Sequence, residues 1–217
     1  MRSHYALRAT IRYYGIIPGD VRCEGGEVSG SVPLIRSGPG MQSSSEHPFE
    51  FSRWKEPPHV FFANLNLDDS AAVRKFTRQY GYLYWRKSGS SAAGNRAVVD
   101  MVGMSNLQEN VRDAWRGFEH GTDALAIDLD LAELHLSIGA KGNELRIESL
   151  RTLLVLLLLQ DCAAEKMEVC SNPDCPAPYF LKVRKGQNFC SRRCAVLINV
   201  RRFREREKRH NKRRVKP

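Results

Sequence analysis

No apolar run in this chain exceeds the seven residues from Leu153 to Leu159, and a helix that crosses a bilayer needs about 18. A membrane-spanning helix is therefore not expected. The opening residues Met1-Arg2-Ser3-His4-Tyr5 lead into no apolar stretch of the secretory kind, so the expected location is cytoplasmic. Nothing recurs at a fixed period, which argues against a solenoid. A catalytic set is missing too. The six histidines are scattered, and none stands at a recognisable spacing from a Cys, Ser or carboxylate that it could activate. His120 and His135 read as a helix-end and a surface residue. Asp128, Asp130 and Glu133 alternate with leucines, as an exposed strand or helix face would. The stretch Ser88-Gly89-Ser90-Ser91-Ala92-Ala93-Gly94 lacks the Lys-Ser/Thr ending of a phosphate loop. These absences favour a non-enzyme.

Charge is unbalanced in one region only. From Glu165 to Pro217 there are 16 Lys/Arg against five Asp/Glu, whereas the rest of the chain holds 18 against 19. The whole net charge of +10 on 217 residues therefore comes from the last quarter. Clustered charge of one sign attracts polyanions, and nucleic acid is the first partner to consider; a solvated basic tail is the plain alternative. With 42% hydrophobic and 27% charged residues, the chain has the composition of a soluble globular protein. Its length suits one ordinary domain plus a small appended module.

Residues 1–60 carry weak signals. Tyr5 to Tyr13 alternates in part and suggests a strand. Gly15 to Pro58 is rich in Gly, Pro and Ser and suggests turns and loop, with Phe49, Phe51 and Trp54 spaced as a short strand would space them. The middle reads more clearly. Asp68 or Asp69 can cap a helix with a buried stripe of Val73, Phe76 and Tyr80, ended by Gly81. Leu107, Val111, Trp115 and Phe118 recur at helical spacing over Asn106 to His120, with Gly121 as the stop. Leu134, Leu136 and Ile138, then Leu145 and Ile147, alternate around Gly139-Ala140-Lys141-Gly142-Asn143, a hairpin pattern. A third helix, from about Glu148 to Met167, holds the leucine run and should be buried on several sides.

Of six cysteines, four lie in the order Cys170-x4-Cys175, fourteen residues, Cys190-x3-Cys194. Two close pairs of thiols suit a metal better than disulfides in a reducing compartment. Zinc takes four thiolates in a tetrahedron, each pair presented from a tight turn; Asn172-Pro173-Asp174 supplies the turn chemistry of the first. Four ligands leave no open position, so one structural Zn2+ is expected, with an iron–sulfur cluster or a redox thiol pair as alternatives. Tyr179, Phe180 and Phe189 could form a minimal core under the metal. Cys23 and Cys162 lack partners at ligand spacing and read as ordinary thiols.

A basic helix should follow Cys194. Val196, Val200 and Phe203 sit at i, i+4 and i+7, a stripe that could dock on the metal module. Arg202, Arg206 and Arg209 follow the same spacing on another face, with Arg201, Arg204 and Lys208 nearby. Such a helix could lie along a phosphate backbone or enter a major groove. Arg192 and Arg193 between the last two ligands, and Arg184 and Lys185 in the intervening loop, are further candidate phosphate contacts.

These residues resemble the bacterial CGNR zinc-finger proteins, a family regarded as stress-induced transcription regulators. The resemblance rests on C-x4-C followed by Phe180, on Phe189-Cys190-Ser191, and on a C-x3-C pair opening a basic helix. Upstream, Phe61-Phe62-Ala63-Asn64-Leu65 and Phe76-Thr77-Arg78-Gln79-Tyr80-Gly81 look like that family's N-terminal domain. The match covers roughly residues 60–210. At the tripeptide that names the family this chain reads Ala195-Val196-Leu197, so no role of Gly-Asn-Arg carries over. The expected class is α+β: a mostly helical N-terminal domain with a β-hairpin, then a small treble-clef-like zinc finger and a basic C-terminal helix. Residues 1–60 would be a poorly defined segment, 61–167 a sensor or assembly domain taking a small-molecule effector or forming a homo-oligomer, and 168–217 the finger. The implied function is a DNA-binding transcription regulator with duplex DNA as partner. An RNA-binding module, stacking bases on exposed Tyr179, Phe180 and Phe189, and a zinc-stiffened protein-interaction module are the alternatives.

Overall fold

The computed structural model describes residues 9–13, 22–24, 27–31, 54–83, 96–120, 134–139, 142–147 and 149–214. They are α+β, mainly helical, with small sheets. They fall into two compact units, one within Met1–Val111 and Ala126–Gln160, the other within Arg112–Leu125 and Asp161–Pro217. None of the described helices is long and apolar enough to cross a membrane.

In the first unit, α1 (Pro58–Asn64) begins on a proline, where the missing N–H costs no intrahelical bond. Asp69 caps α2 (Ser70–Tyr80), its carboxylate accepting from the amides of Ala71 at 2.9 Å and Ala72 at 3.2 Å. Gly81, at φ 98°, ends the helix in a backbone conformation that side chains disfavour. Val73, Phe76 and Tyr80 are all buried, as their spacing predicts. The rings of Phe62 and Phe76 lie 5.3 Å apart and those of Phe76 and Tyr80 5.2 Å apart. Trp54 meets Tyr80 edge-on at 5.2 Å; it lies outside any strand, and Phe49 and Phe51 lie outside the described residues.

Helix α3 (Met101–His120) starts before the expected Asn106. Its Gln108 is buried and donates to the carbonyls of Phe62 and Leu65, both at 2.7 Å, which ties α3 to the end of α1; Phe62 O also accepts from Leu65 N at 3.2 Å. Helix α4 (Leu150–Ala163) follows Ser149, whose hydroxyl accepts from the Thr152 amide. Thr152 to Val155 are consecutively buried, so this helix is covered on several sides. It ends before Met167. Glu165, at φ 52°, donates to Cys162 O at 2.9 Å, and Lys166 donates to Asp161 O at 3.0 Å. That is a Schellman stop with glutamate in the place usually held by glycine, so the sequence carried no stop signal there.

Two small sheets belong to this unit. Strand β1 (Ala9–Tyr13) runs parallel to β6 (Gly142–Ile147), which pairs antiparallel with β5 (Leu134–Gly139) in the expected hairpin. Strands β2 (Arg22–Glu24), β3 (Glu27–Ser31) and β4 (Arg96–Asp100) form the other. The reading of Gly15 to Pro58 as loop is corrected here. Val28 is the only branched aliphatic in β3, and its strand is completed by the distant Val98 and Val99, a pairing that no local pattern announces. The acidic residues Asp128, Asp130 and Glu133, the stretch from Ser88 to Gly94, and the side chains of His120 and His135 lie outside what is described.

Candidate metal centre

In the second unit, β7 (Met167–Val169) pairs antiparallel with β8 (Tyr179–Leu181), and Lys182 joins Glu168 at 3.1 Å. Cys170 leaves β7 and donates its amide to Pro178 O at 2.8 Å, while Ser171 donates to Asn188 O at 2.9 Å. These bonds bring both cysteine pairs to one place. Asn172 forms the predicted turn: its carbonyl accepts from Cys175 N at 3.0 Å and its Oδ1 from Asp174 N at 3.3 Å. A second turn over 183–187 uses Gly186 at φ 75°. Gln187 braces it, accepting from Val183 N at 3.1 Å and donating to Phe189 O at 3.0 Å. Ser191 then opens α5 (Arg192–Arg214), its hydroxyl accepting from Cys194 N at 3.3 Å in the manner of an N-cap.

The four Sγ atoms lie within 4.8 Å of one another. Cys175 is 3.5 Å from Cys190, Cys190 is 3.7 Å from Cys194, and Cys194 is 3.7 Å from Cys175. Disulfide sulfurs would be about 2.05 Å apart. A tetrahedral ion with metal–sulfur bonds of about 2.3 Å holds its ligands about 3.8 Å from each other. The three spacings among Cys175, Cys190 and Cys194 match that tetrahedron, and Cys170 Sγ lies within 4.8 Å of them. Cys170 and Cys194 are buried with Phe180, and Cys175, Cys190 and Phe189 pack against them. The residues present therefore suit one four-coordinate metal ion with no position left for water or substrate.

No protein-family model, curated protein or solved structure matches the chain. The assignment of the centre rests on its donor set and geometry.

The thiols differ electrically. Asn172 donates its side-chain amide to Cys194 Sγ at 3.5 Å. That bond, with help from Ser191 and the neighbouring thiols, draws Cys194 down to about 6. Burial pushes Cys175 up to about 12 and raises Cys190 as well. Elsewhere, burial raises the Cys23 thiol against the opposing pull of Arg74, and its Sγ faces Ser70 O at 3.8 Å. Cys23 and Cys162 stand apart from the cluster.

Phe180 and Phe189 pack under the sulfurs as expected. Tyr179, adjacent to Phe180 on β8, takes the other side of the strand. Its ring meets Trp115 of α3 at 5.8 Å and 62°, with the Arg112 guanidinium 5.9 Å above it. Tyr179 and Phe180 are buried, and both serve as core.

Helix α5 docks through a different side from the one its apolar stripe suggests. Cys194 and Ile198 are buried, and Arg201 reaches Asp174 at 2.6 Å. Val196 (50% exposed), Val200 (41%) and Phe203 (55%) face outward. The expectation that they dock on the module is corrected. The rotation of α5 is set by Cys194, which must meet the other three sulfurs; Ile198, one turn on, follows it. Arg192, Arg193, Arg202, Arg204, Arg206 and Arg209 are exposed along α5, and Arg184 and Lys185 are exposed in the 183–187 turn. Arg201 differs from them in being tied to an acid. Asn172 as a thiolate partner, Gln187 as a brace and Ser191 as a cap escaped the sequence reading. Asn172 carries a signal only as a turn residue, and Ser191 only as part of Phe189-Cys190-Ser191.

Proposed function

We propose that Cys170, Cys175, Cys190 and Cys194 bind one structural zinc ion in a treble-clef-like finger. The finger holds α5 against duplex DNA, and the protein acts as a transcription regulator, as its resemblance to the CGNR zinc-finger proteins implies. The observation that carries this reading is the position of Cys194 in the first turn of α5. A ligand there makes the metal the anchor of a helix about 35 Å long. Its outer arginines are presented from a fixed base. Arg192 and Arg193 stand at the positive end of the helix dipole, where cations are disfavoured unless an anion neutralises them.

Zinc is preferred because it takes four thiolates tetrahedrally and needs no redox chemistry. Duplex DNA is preferred to unpaired RNA because Tyr179 and Phe180 are buried and Phe189 packs on the sulfur cluster, which removes the stacking surface that RNA would need. Zinc-loaded protein is to be titrated with random duplex DNA and with single-stranded RNA at two salt concentrations around about 0.15 M. The expected result is steeply salt-dependent duplex binding, lost on chelation. Replacing both Arg202 and Arg206 with Ala should weaken it and reduce the salt slope by about 2. Unchanged affinity and slope in that variant would remove the arginine face from the contact. Absence of binding to either polymer would end the nucleic-acid reading and leave the metal centre standing.

A further inference from the structure

The outward side of α5 carries an unusual order of residues. Arg193, Val196, Val200, Phe203 and Glu207 follow one another by three, four, three and four positions, the spacing of a helix-pairing seam. At 3.6 residues per turn this seam lies opposite Cys194 and Ile198, which face the module. Leu197, 52% exposed, flanks it. Four neighbouring aliphatic and aromatic side chains left in water on a helix otherwise rich in arginine need a cover.

The charges at the two ends of the seam say which cover fits. We infer that it is a second copy of this chain, its α5 packed antiparallel to the first about a two-fold axis at Val200. In that arrangement Val200 meets Val200, and Leu197 lies level with the partner's Phe203. Arg193 lies level with the partner's Glu207, and the two-fold repeats each contact. A parallel pair would set Arg193 beside Arg193 and Glu207 beside Glu207. The antiparallel register is thus selected by the sequence of the seam itself. One flank opposes it: Arg192 comes beside the partner's Arg206, and both copies are basic. The seam is also short. The dimer is accordingly weak, and added salt, which screens the basic surfaces, strengthens it.

This pairing shares Arg193 with the proposed nucleic-acid face and is tested without nucleic acid, by sedimentation equilibrium of nuclease-treated, metal-loaded, full-length protein over micromolar to near-millimolar concentrations. A reversible monomer–dimer equilibrium is expected. Val200→Glu, which sets two carboxylates against each other at the axis, should abolish it, with metal content and circular dichroism unchanged to show that the fold survives. Arg193→Glu and Glu207→Arg should each weaken association about tenfold. The double variant R193E/E207R should return it to within about twofold of the parent. Within one helix these positions are about 21 Å apart, so rescue can arise only between copies. A monomer at every concentration would overturn the inference and assign the stripe to another occupant. So would a dimer that survives Val200→Glu, or a double variant no better than either single.

Discussion

Asn172 shows how much of a metal centre lies outside its ligands. It is buried, its carbonyl and Oδ1 hold the turn of the first cysteine pair, and its amide points at Cys194 Sγ. A hydrogen bond donated to a thiolate favours the charged form, which is the form a metal needs. Asn172→Ala keeps the backbone carbonyl of the turn but removes its Oδ1 bond and the amide on Cys194, and should weaken metal affinity by about 10- to 100-fold, the range for residues behind the ligands. Competition against a chromophoric chelator measures it. An affinity equal to that of the parent would mean that the turn and the thiolate are held by the remaining bonds. The position was legible as a turn residue from Asn-Pro-Asp. Its contact with a cysteine 22 positions away was not, because turn chemistry is local and that contact is not.

At the scale of an element, α5 separates hydrophobic pattern from hydrophobic burial. Its apolar residues suggested Val196, Val200 and Phe203 as the docking side, yet Ile198 is 6% exposed and Val196 50%. Ile198→Ala should therefore destabilise the metal module by about 2 kcal/mol or more. Val196→Ala, which removes little buried surface, should stay within about 0.5 kcal/mol. Denaturant unfolding of the two variants, followed at fixed metal concentration, decides between the faces. Equal losses would return the docking role to the stripe. Other elements were legible because their signals were local: the Asp69 cap and Gly81 stop of α2, the stripe of Leu107, Val111 and Trp115 on α3, and the alternation of β5 and β6; the side chain of Phe118 and Gly121 lie outside the described residues. The end of α4 was not, since Glu165 takes a left-handed conformation with no glycine to announce it.

For the whole molecule, the two units draw on different sources of stability. The first contains the aromatic cluster of α1 and α2 and the buried leucines of α4. The second has a smaller core in which the sulfur cluster is itself a member, with Phe180 buried in one cluster with Cys170 and Cys194. A module of this size that binds a metal at these cysteines would draw much of its folding free energy from it. Chelation should thus raise amide hydrogen exchange across β7, β8 and the first turns of α5 while α2 and α4 keep their protection. Exchange that rises equally in α2 would mean that the metal supports the entire chain, and exchange unchanged in β7 would mean that the module folds without it.

Taken alone, the sequence determined which four cysteines could hold a metal, where the charge lies, and where the strongly periodic helices and the hairpin fall. Each depends on residues close together in the chain, through ligand spacing, capping or a repeating stripe. Tertiary structure decided the β2–β3–β4 sheet, the partner of β1, the amide on Cys194 and the side of α5 that meets the module. These depend on groups brought together from distant parts of the chain, where the need to satisfy a strand edge or close a sulfur tetrahedron outweighs the local hydrophobic pattern.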